Sequence, residues 1–167
     1  MNPVAPEGFS IEDLGAEDAP AVEELFEQNP GASLWSVADI REGLSQGRMQ
    51  GLGAMGPGTS RIIGCILWRT LLDEMEILNM VVCGEFRRQR AGRALFQKMC
   101  TLGLRQQVTT IHLEVRKSNL GAQAFYRAQG FVECGSRPGY YPPDGEAAVL
   151  MSLPLKEKAH ALVLSDG

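Results

Sequence analysis

The sequence predicts a mixed α/β domain in which a mostly antiparallel sheet of about seven strands is flanked by about four helices. Three observations predict it: short strand-like apolar runs recur along the chain, they alternate with helix-period segments in its second half, and those between 49 and 82 follow one another through short turns. At 167 residues the chain has the length of one domain with a full core.

Residues 9–14 alternate and read as a first strand. Glu17, Asp18 and Pro20 form a helix start; Ala21, Val22, Leu25 and Phe26 supply its apolar face, and Asn29, Pro30 and Gly31 stop it. Ser36 reads as the N-cap of a second helix to about Ser45, with Val37, Ile40 and Leu44 on one face and Gly47 past its end. Residues 49–55 and 61–71, joined across Gly56-Pro57-Gly58, read as a strand pair, with 74–82 as a third neighbour. In that third strand Ile77, Leu78, Met80, Val81 and Val82 form a nearly continuous apolar run, expected to be buried and bounded by Cys83 and Gly84.

Ala94, Leu95, Phe96, Met99 and Leu102 recur at helical spacing, giving a helix from 91 to about 106. Residues 110–116 alternate cleanly, which places His112, Glu114 and Arg116 on one polar face of a strand. Ser118 and Asn119 cap a helix that carries Ala122, Ala124, Phe125 and Tyr126 and stops at Gly130. Residues 131–134 and 147–153 complete the sheet. The domain is expected to span 1–155, with 156–167 as a flexible tail.

The formal net charge of −4 speaks against a general nucleic-acid binder, which needs an excess of Lys and Arg over a broad face. Cys65, Cys83, Cys100 and Cys134 are far apart and only His112 and His160 accompany them, so metal-ligand spacing is absent and the thiols read as small hydrophobes. With no signal-peptide pattern and no membrane-length apolar run, a reducing cytoplasm is the expected compartment.

Between the third strand and the following helix runs Glu85-Phe86-Arg87-Arg88-Gln89-Arg90-Ala91-Gly92-Arg93. A strand feeding a helix through such a turn presents unpaired backbone N–H groups and the positive end of the helix dipole, here among four arginines. That combination is an anion cradle suited to a phosphate; an ordinary connection with solvated arginines is the other reading of the same residues. By periodicity alone, Glu114, Glu74 and Glu76 are solvent-face carboxylates, Tyr126 is a core aromatic, and Tyr140 and Tyr141 pack a turn.

Asn79-Met80-Val81-Val82, the arginine turn to Ala94, Leu113-Glu114-Val115-Arg116, Ser118-Asn119, Ala124-Phe125-Tyr126 and Gln129-Gly130-Phe131 resemble, in order and spacing, the GNAT superfamily of acetyl-coenzyme A-dependent N-acetyltransferases. The resemblance covers roughly 9–155. Trp35-Ser36, Arg137-Pro138-Gly139-Tyr140-Tyr141-Pro142 and Asp144-Gly145 are similar to the RimI type within it, which acetylates the N-terminal alanine of a small-subunit ribosomal protein.

The resemblance implies acetyl-coenzyme A as cosubstrate and a protein N-terminus, expected to be ribosomal, as acceptor. It implies strands splayed at the cofactor site, cofactor contacts at Met80, Val81 and Val82, a pyrophosphate cradle at Arg87, Arg88, Gln89, Arg90, Ala91, Gly92, Arg93 and Ala94, and a further contact at Asn119. Glu114 is implied as general base, with Glu76 in reserve, and Tyr126 as general acid toward the departing thiolate. Trp35, Tyr140 and Tyr141 would wall the peptide groove. The same chemistry on small amines or lysine side chains, and a non-catalytic acyl-coenzyme A-binding module, are the competing expectations; the oligomeric state is open. One position departs from the pattern: Arg90 stands where the family's phosphate turn has its first glycine, so it must adopt a negative φ or accept left-handed strain.

Overall fold

The computed structural model describes residues 8–29, 31–32, 35–87 and 90–156. Along them run β1 (Ser10–Asp13), α1 (Ala19–Glu27), α2 (Val37–Ser45), β2 (Gln50–Met55), β3 (Ile62–Leu71), β4 (Glu74–Val82), α3 (Ala91–Arg105), β5 (Thr110–Arg116), α4 (Leu120–Ala128), β6 (Val132–Tyr141) and β7 (Glu146–Pro154). The seven strands form one sheet in the order β1-β2-β3-β4-β5-β7-β6. β4 and β5 pair parallel, while β1–β2, β2–β3, β5–β7 and β6–β7 pair antiparallel. The mixed, mostly antiparallel sheet with four helices is the architecture the sequence predicts. No helix among the described residues is long and apolar enough to cross a membrane.

Two compact units divide these elements, one drawn from Met1–Arg69 and Leu78–Thr101, the other from Thr70–Ile77 and Leu102–Gly167. In the first, α1 begins with Pro20 in its opening turn, where a missing N–H costs nothing, and buries Ala19, Val22, Leu25 and Phe26 on one face. Ser36 caps α2 as its spacing predicts, its hydroxyl accepting from the Asp39 N–H at 3.1 Å. The Glu23 carboxylate accepts from Val37 N–H at 2.9 Å, tying α2 to α1. These helices close over a core that includes Leu14, Ile40, Leu67 and Val81. Gly64 on β3 has a specific task, since a Cβ there would lie 3.0 Å from the Val81 carbonyl oxygen. Any side chain there would push the last residues of β4 back by a few tenths of an ångström.

In the second unit β5 buries Ile111, Leu113 and Val115 and pairs with β7 along its whole length, from Thr110↔Pro154 to Arg116↔Ala148. Asn119 caps α4, its Oδ1 accepting from the Ala122 N–H at 3.1 Å. The buried Gln123 then ties α4 back to the strand, donating to the carbonyls of Arg116 (3.1 Å) and Lys117 (2.9 Å). Tyr126 and Phe131 pack edge to face with ring centroids 5.4 Å apart.

Three local expectations need correction. β4 is not a continuously buried strand: Met75, Ile77, Asn79 and Val81 form its buried face, while Leu78, Met80 and Val82 are half-exposed. Period-two geometry sends consecutive apolar side chains to opposite faces, and only one of those faces is fully closed here. β6 extends to Tyr141 instead of ending at 134. Gly135, Pro138 and Gly139 break the alternation that marks a regular strand, yet an edge strand accepts them, with pairing shifts at 133–135 and 137–141 and Gly139 at φ +64°. Finally, Cys134 is exposed, so only Cys65, Cys83 and Cys100 behave as small core hydrophobes.

Candidate functional site

The turn after β4 belongs to the first unit. Cys83 N–H donates to Ile63 O at 2.8 Å, the chain makes a single 3-10 turn over Gly84–Phe86, and α3 begins at Ala91. Arg90 caps that start through its backbone, its carbonyl accepting from Ala94 N–H at 2.9 Å. Its φ is +64° and its side chain is exposed, which resolves the question its sequence position raises: the left-handed conformation is kept and the side chain points outward. An L-residue there carries strain of about 1–2 kcal/mol. Ala91 is buried, Gly92 and Ala94 are half-buried, and Arg93 is exposed; Arg88 and Gln89 lie outside the described residues.

Arg87 is engaged by the protein itself. Its Nε donates to Val82 O at 3.2 Å and its Nη2 to Asn29 Oδ1 at 3.1 Å, while Asn29 Nδ2 donates to Leu25 O at 2.6 Å. The guanidinium therefore braces the last residue of β4 against the C-terminal end of α1. In the sequence Asn29 marks only the stop of the first helix. Its burial beside an arginine is visible only in three dimensions. Of the predicted strand contacts, Val81 buries its side chain and offers only backbone, whereas Met80 and Val82 are half-exposed. Within the second unit, the β4–β5 ladder runs from Glu74↔Thr110 to Ile77↔Leu113.

The second unit contains a groove of ≈ 210 Å³ lined by residues that include Glu76, His112, Glu114, Cys134 and Arg137. The parallel register sets Glu76 directly beside His112, and the period of two places Glu114 on the same face. Glu114 is not a fully solvated carboxylate, because its side chain is only 18% exposed and Arg137 Nε lies 3.2 Å from its Oε1. The Tyr140 phenol interacts with the same carboxylate. Its interaction with Glu114, then burial, raises the phenol above its ordinary pKa. His112 Nε2 lies 3.5 Å from Glu74 and has no well-aligned hydrogen bond.

Tyr140 and Tyr141 meet edge to face at 4.9 Å near the end of β6 rather than within a turn. The Arg116 guanidinium covers the Tyr141 ring at 4.3 Å and pairs with Glu146 at 3.0 Å, while Arg137 stands 5.7 Å from the Tyr140 ring centroid. In the sequence Arg137 stands in the RimI-like segment with no role of its own. Its signal was present as an arginine three residues before Tyr140, but strand register alone cannot show that both side chains reach Glu114. Tyr126 is buried on α4, and burial pushes its phenol well above the ordinary value. Asn119 uses its Oδ1 for the cap, which leaves Nδ2 as the donor for any ligand. Trp35 is partly buried against the core of the first unit.

A strand feeding an arginine-flanked helix start in the first unit, and a half-buried carboxylate in a groove of the second, are each features that an acyl-transfer protein can use. The model of the acetyltransferase (GNAT) family matches residues 19–131, and the chain belongs to that family. It is an N-acetyltransferase whose cosubstrate is acetyl-coenzyme A. The ribosomal protein bS18-alanine N-acetyltransferase of Escherichia coli (strain K12) is 33% identical over 148 residues, a match covering 87% of this chain and 97% of that protein. The crystal structure of the Escherichia coli ribosomal-protein-S18-alanine N-acetyltransferase superposes with a TM-score of 0.77 at 30% identity, over 88% of this chain and 94% of the other. Arabidopsis thaliana NAA60 in complex with acetyl-CoA shares the fold, with a TM-score of 0.79 at 15% identity over 89% and 99% of the two chains.

Proposed function

We propose that this chain acetylates the α-amino group of a ribosomal protein's N-terminal residue, alanine being the expected acceptor, in the cytoplasm. Acetyl-coenzyme A supplies the activated acetyl group. In the first unit the N–H groups at the start of α3, with the outward Arg90 and Arg93, suit its pyrophosphate, since backbone donors, helix dipole and guanidinium charge converge there. Arg88 and Gln89, by family resemblance, belong to the same cradle. The backbone of Met80, Val81 and Val82, braced by Arg87 and Asn29, holds the acyl carbonyl.

In the second unit Glu114 takes the proton from the substrate's ammonium, directly or through water. Glu76, on the neighbouring strand of the same groove, is the reserve base. An α-amino group titrates near pH ~8, so its deprotonation near neutrality is a small task for a placed carboxylate. Tyr126, held protonated by burial, returns a proton to the departing thiolate. Asn119 Nδ2 gives the cofactor a polar contact, and Trp35, Tyr140 and Tyr141 present aromatic bodies to the substrate's first residues. No serine or cysteine has a base placed for a covalent intermediate among the described residues, so the amine attacks directly within a ternary complex.

The observation that carries this reading is the half-buried Glu114 carboxylate, held by Arg137 and Tyr140 in a groove large enough for an amino-terminal residue. The test is mass spectrometry of a peptide library incubated with the protein and acetyl-coenzyme A, with polyamines and lysine-containing peptides blocked at their N-terminus alongside. α-Acetylation of alanine-starting ribosomal peptides is the expected result. Transfer only to side-chain or small amines would replace the substrate class, and cofactor binding without any transfer would leave a binding module.

A further inference from the structure

Glu146 opens β7 where three segments of the second unit meet. It is the strand partner of Tyr141 at the end of β6, and two residues further on Ala148 pairs with Arg116 at the end of β5. Ser118 and Asn119 follow that end of β5 and lead into α4. One carboxylate therefore stands between the aromatic end of β6 and the residue proposed to give the cofactor a polar contact. Its side chain is 21% exposed and that of Arg116 27%, so their pair is screened less than one on the open surface.

The two carboxylate oxygens have different partners. Oε1 accepts from the Ser118 N–H at 2.6 Å, and Oε2 accepts from Arg116 Nη1 at 3.0 Å. Hydrogen bonds from the Ser118 hydroxyl and N–H, then the pairing with Arg116, hold the carboxyl below its usual range, so it meets both partners ionised. Asn119 caps α4 with Oδ1 and keeps Nδ2 for a ligand, and holding Ser118 holds the backbone from which that side chain starts. On the other side the Arg116 guanidinium lies 4.3 Å from the Tyr141 ring centroid, and Tyr141 meets Tyr140 edge to face at 4.9 Å. Asp144 Oδ1, 3.5 Å from Arg116 on a 59% exposed side chain, is a second and looser partner of the guanidinium.

We infer that Glu146 is a positioning residue that joins the peptide wall to the cofactor contact, setting Tyr141 through Arg116 and Asn119 through Ser118. The inference rests on the proposed roles of Tyr141 and Asn119. It requires a carboxylate. A carboxylate offers an accepting oxygen to each donor, whereas a carboxamide has one such oxygen for the two.

The experiment measures steady-state acetylation by the wild type, Glu146→Gln, Glu146→Ala and Arg116→Ala, varying acetyl-coenzyme A and an alanine-starting peptide separately. Glu146→Ala should raise both KM values by ~3–10-fold, the scale of one lost charge-assisted or cation–π contact, with kcat at saturation changing less than either. Arg116→Ala should raise the peptide KM alone. Its effect should be smaller in the Glu146→Ala background, where only Asp144 still holds the guanidinium, because the two residues lie on one path. Glu146→Gln keeps the native shape and should raise at least one of the two KM values. Loss of folded protein alone lowers kcat and leaves both KM values in place, so wild-type KM values in both Glu146 variants would overturn the inference. An Arg116→Ala effect on peptide KM that is equal in the two backgrounds would overturn it as well. Tyr141→Ala and Asn119→Asp, which keeps the cap oxygen and lacks Nδ2, probe the roles underneath. Unchanged peptide KM in the first, or unchanged cofactor KM in the second, strikes that contact from the proposed function and the link with it; raised values there beside unmoved Glu146 variants strike the link alone.

Discussion

Replacing Arg90 by glycine should make the protein more stable. Arg90 is held at φ +64° immediately before α3, and its exposed side chain makes no buried contact that the substitution would lose. Relief of a left-handed L-residue is worth ~1–2 kcal/mol, from which the wider unfolded ensemble of glycine subtracts ~0.4–1 kcal/mol. The balance is about 0.5–1 kcal/mol in favour of Arg90→Gly, or ~1–4 °C in Tm for a chain of this length. Arg90→Ala is the control, because it removes the same charge but keeps a Cβ in the strained conformation, and it should stay within ~0.5 kcal/mol of wild type. Thermal and urea unfolding of the three proteins measure the difference. If Arg90→Gly is no more stable than Arg90→Ala, the strain argument is refuted. Acetyl-coenzyme A binding at low salt then reads the other side of the exchange: both variants lack the outward guanidinium, so both should bind the cofactor more weakly by a similar factor.

Glu114→Gln should lower turnover at neutral pH by ~10²-fold or more, and a near-normal rate would move the base to Glu76 or to water. The same substitution weakens the acceptor that raises the Tyr140 phenol, so tyrosinate absorbance of this residue should appear at lower pH than in the wild type. Burial holds the folded Tyr126 phenol above its unfolded value of ~10; the stability linked to it is therefore complete below that pH and lost as pH rises toward the folded value, and Tyr126→Phe should blunt alkaline unfolding while lowering turnover. A thiol reagent at pH 8 should label Cys134 rapidly in the native protein, with Cys83 and Cys100 shielded by burial and Cys65 both buried and pushed up to about 12. Fast labelling of a second cysteine would contradict the packing of the core.

The strand and helix order was legible because each element announces itself locally. Ser36 and Asn119 cap helices where their spacing places them, and the period of two across 110–116 separates Ile111, Leu113 and Val115 from His112, Glu114 and Arg116 as the structure does. The end of β6 was not legible, because Gly135, Pro138 and Gly139 carry turn chemistry that an irregular edge strand can also absorb. Local sequence assigns Arg87, with its neighbours in the turn, to a phosphate. Arg87 instead turns inward to Val82 O and Asn29, a partner 58 residues away in sequence, and no local pattern encodes a contact of that range.

Glu114 shows how the illegible part of a site modifies the legible part. Alternation puts its carboxylate on a polar strand face, and solvent is the natural reading of such a face. The pairing shift between Arg137 and Tyr141, with Gly139 in a left-handed conformation between them, lets one short stretch of β6 bring both Arg137 and Tyr140 to that carboxylate. A regular strand would send residues three apart to opposite faces, so only one of the two could reach it. The same glycine that hides the strand from a pattern reading therefore makes the clamp on the proposed base. Replacing Gly139 by alanine tests this coupling: its Cβ meets no atom within 4 Å, so any cost comes from φ +64° alone. A loss of ~1 kcal/mol in stability is expected, accompanied by a fall in the Tyr140 phenol's pKa as its bond to Glu114 loosens. An unchanged Tyr140 titration in a destabilised Gly139→Ala protein would show that the clamp does not depend on the bulge.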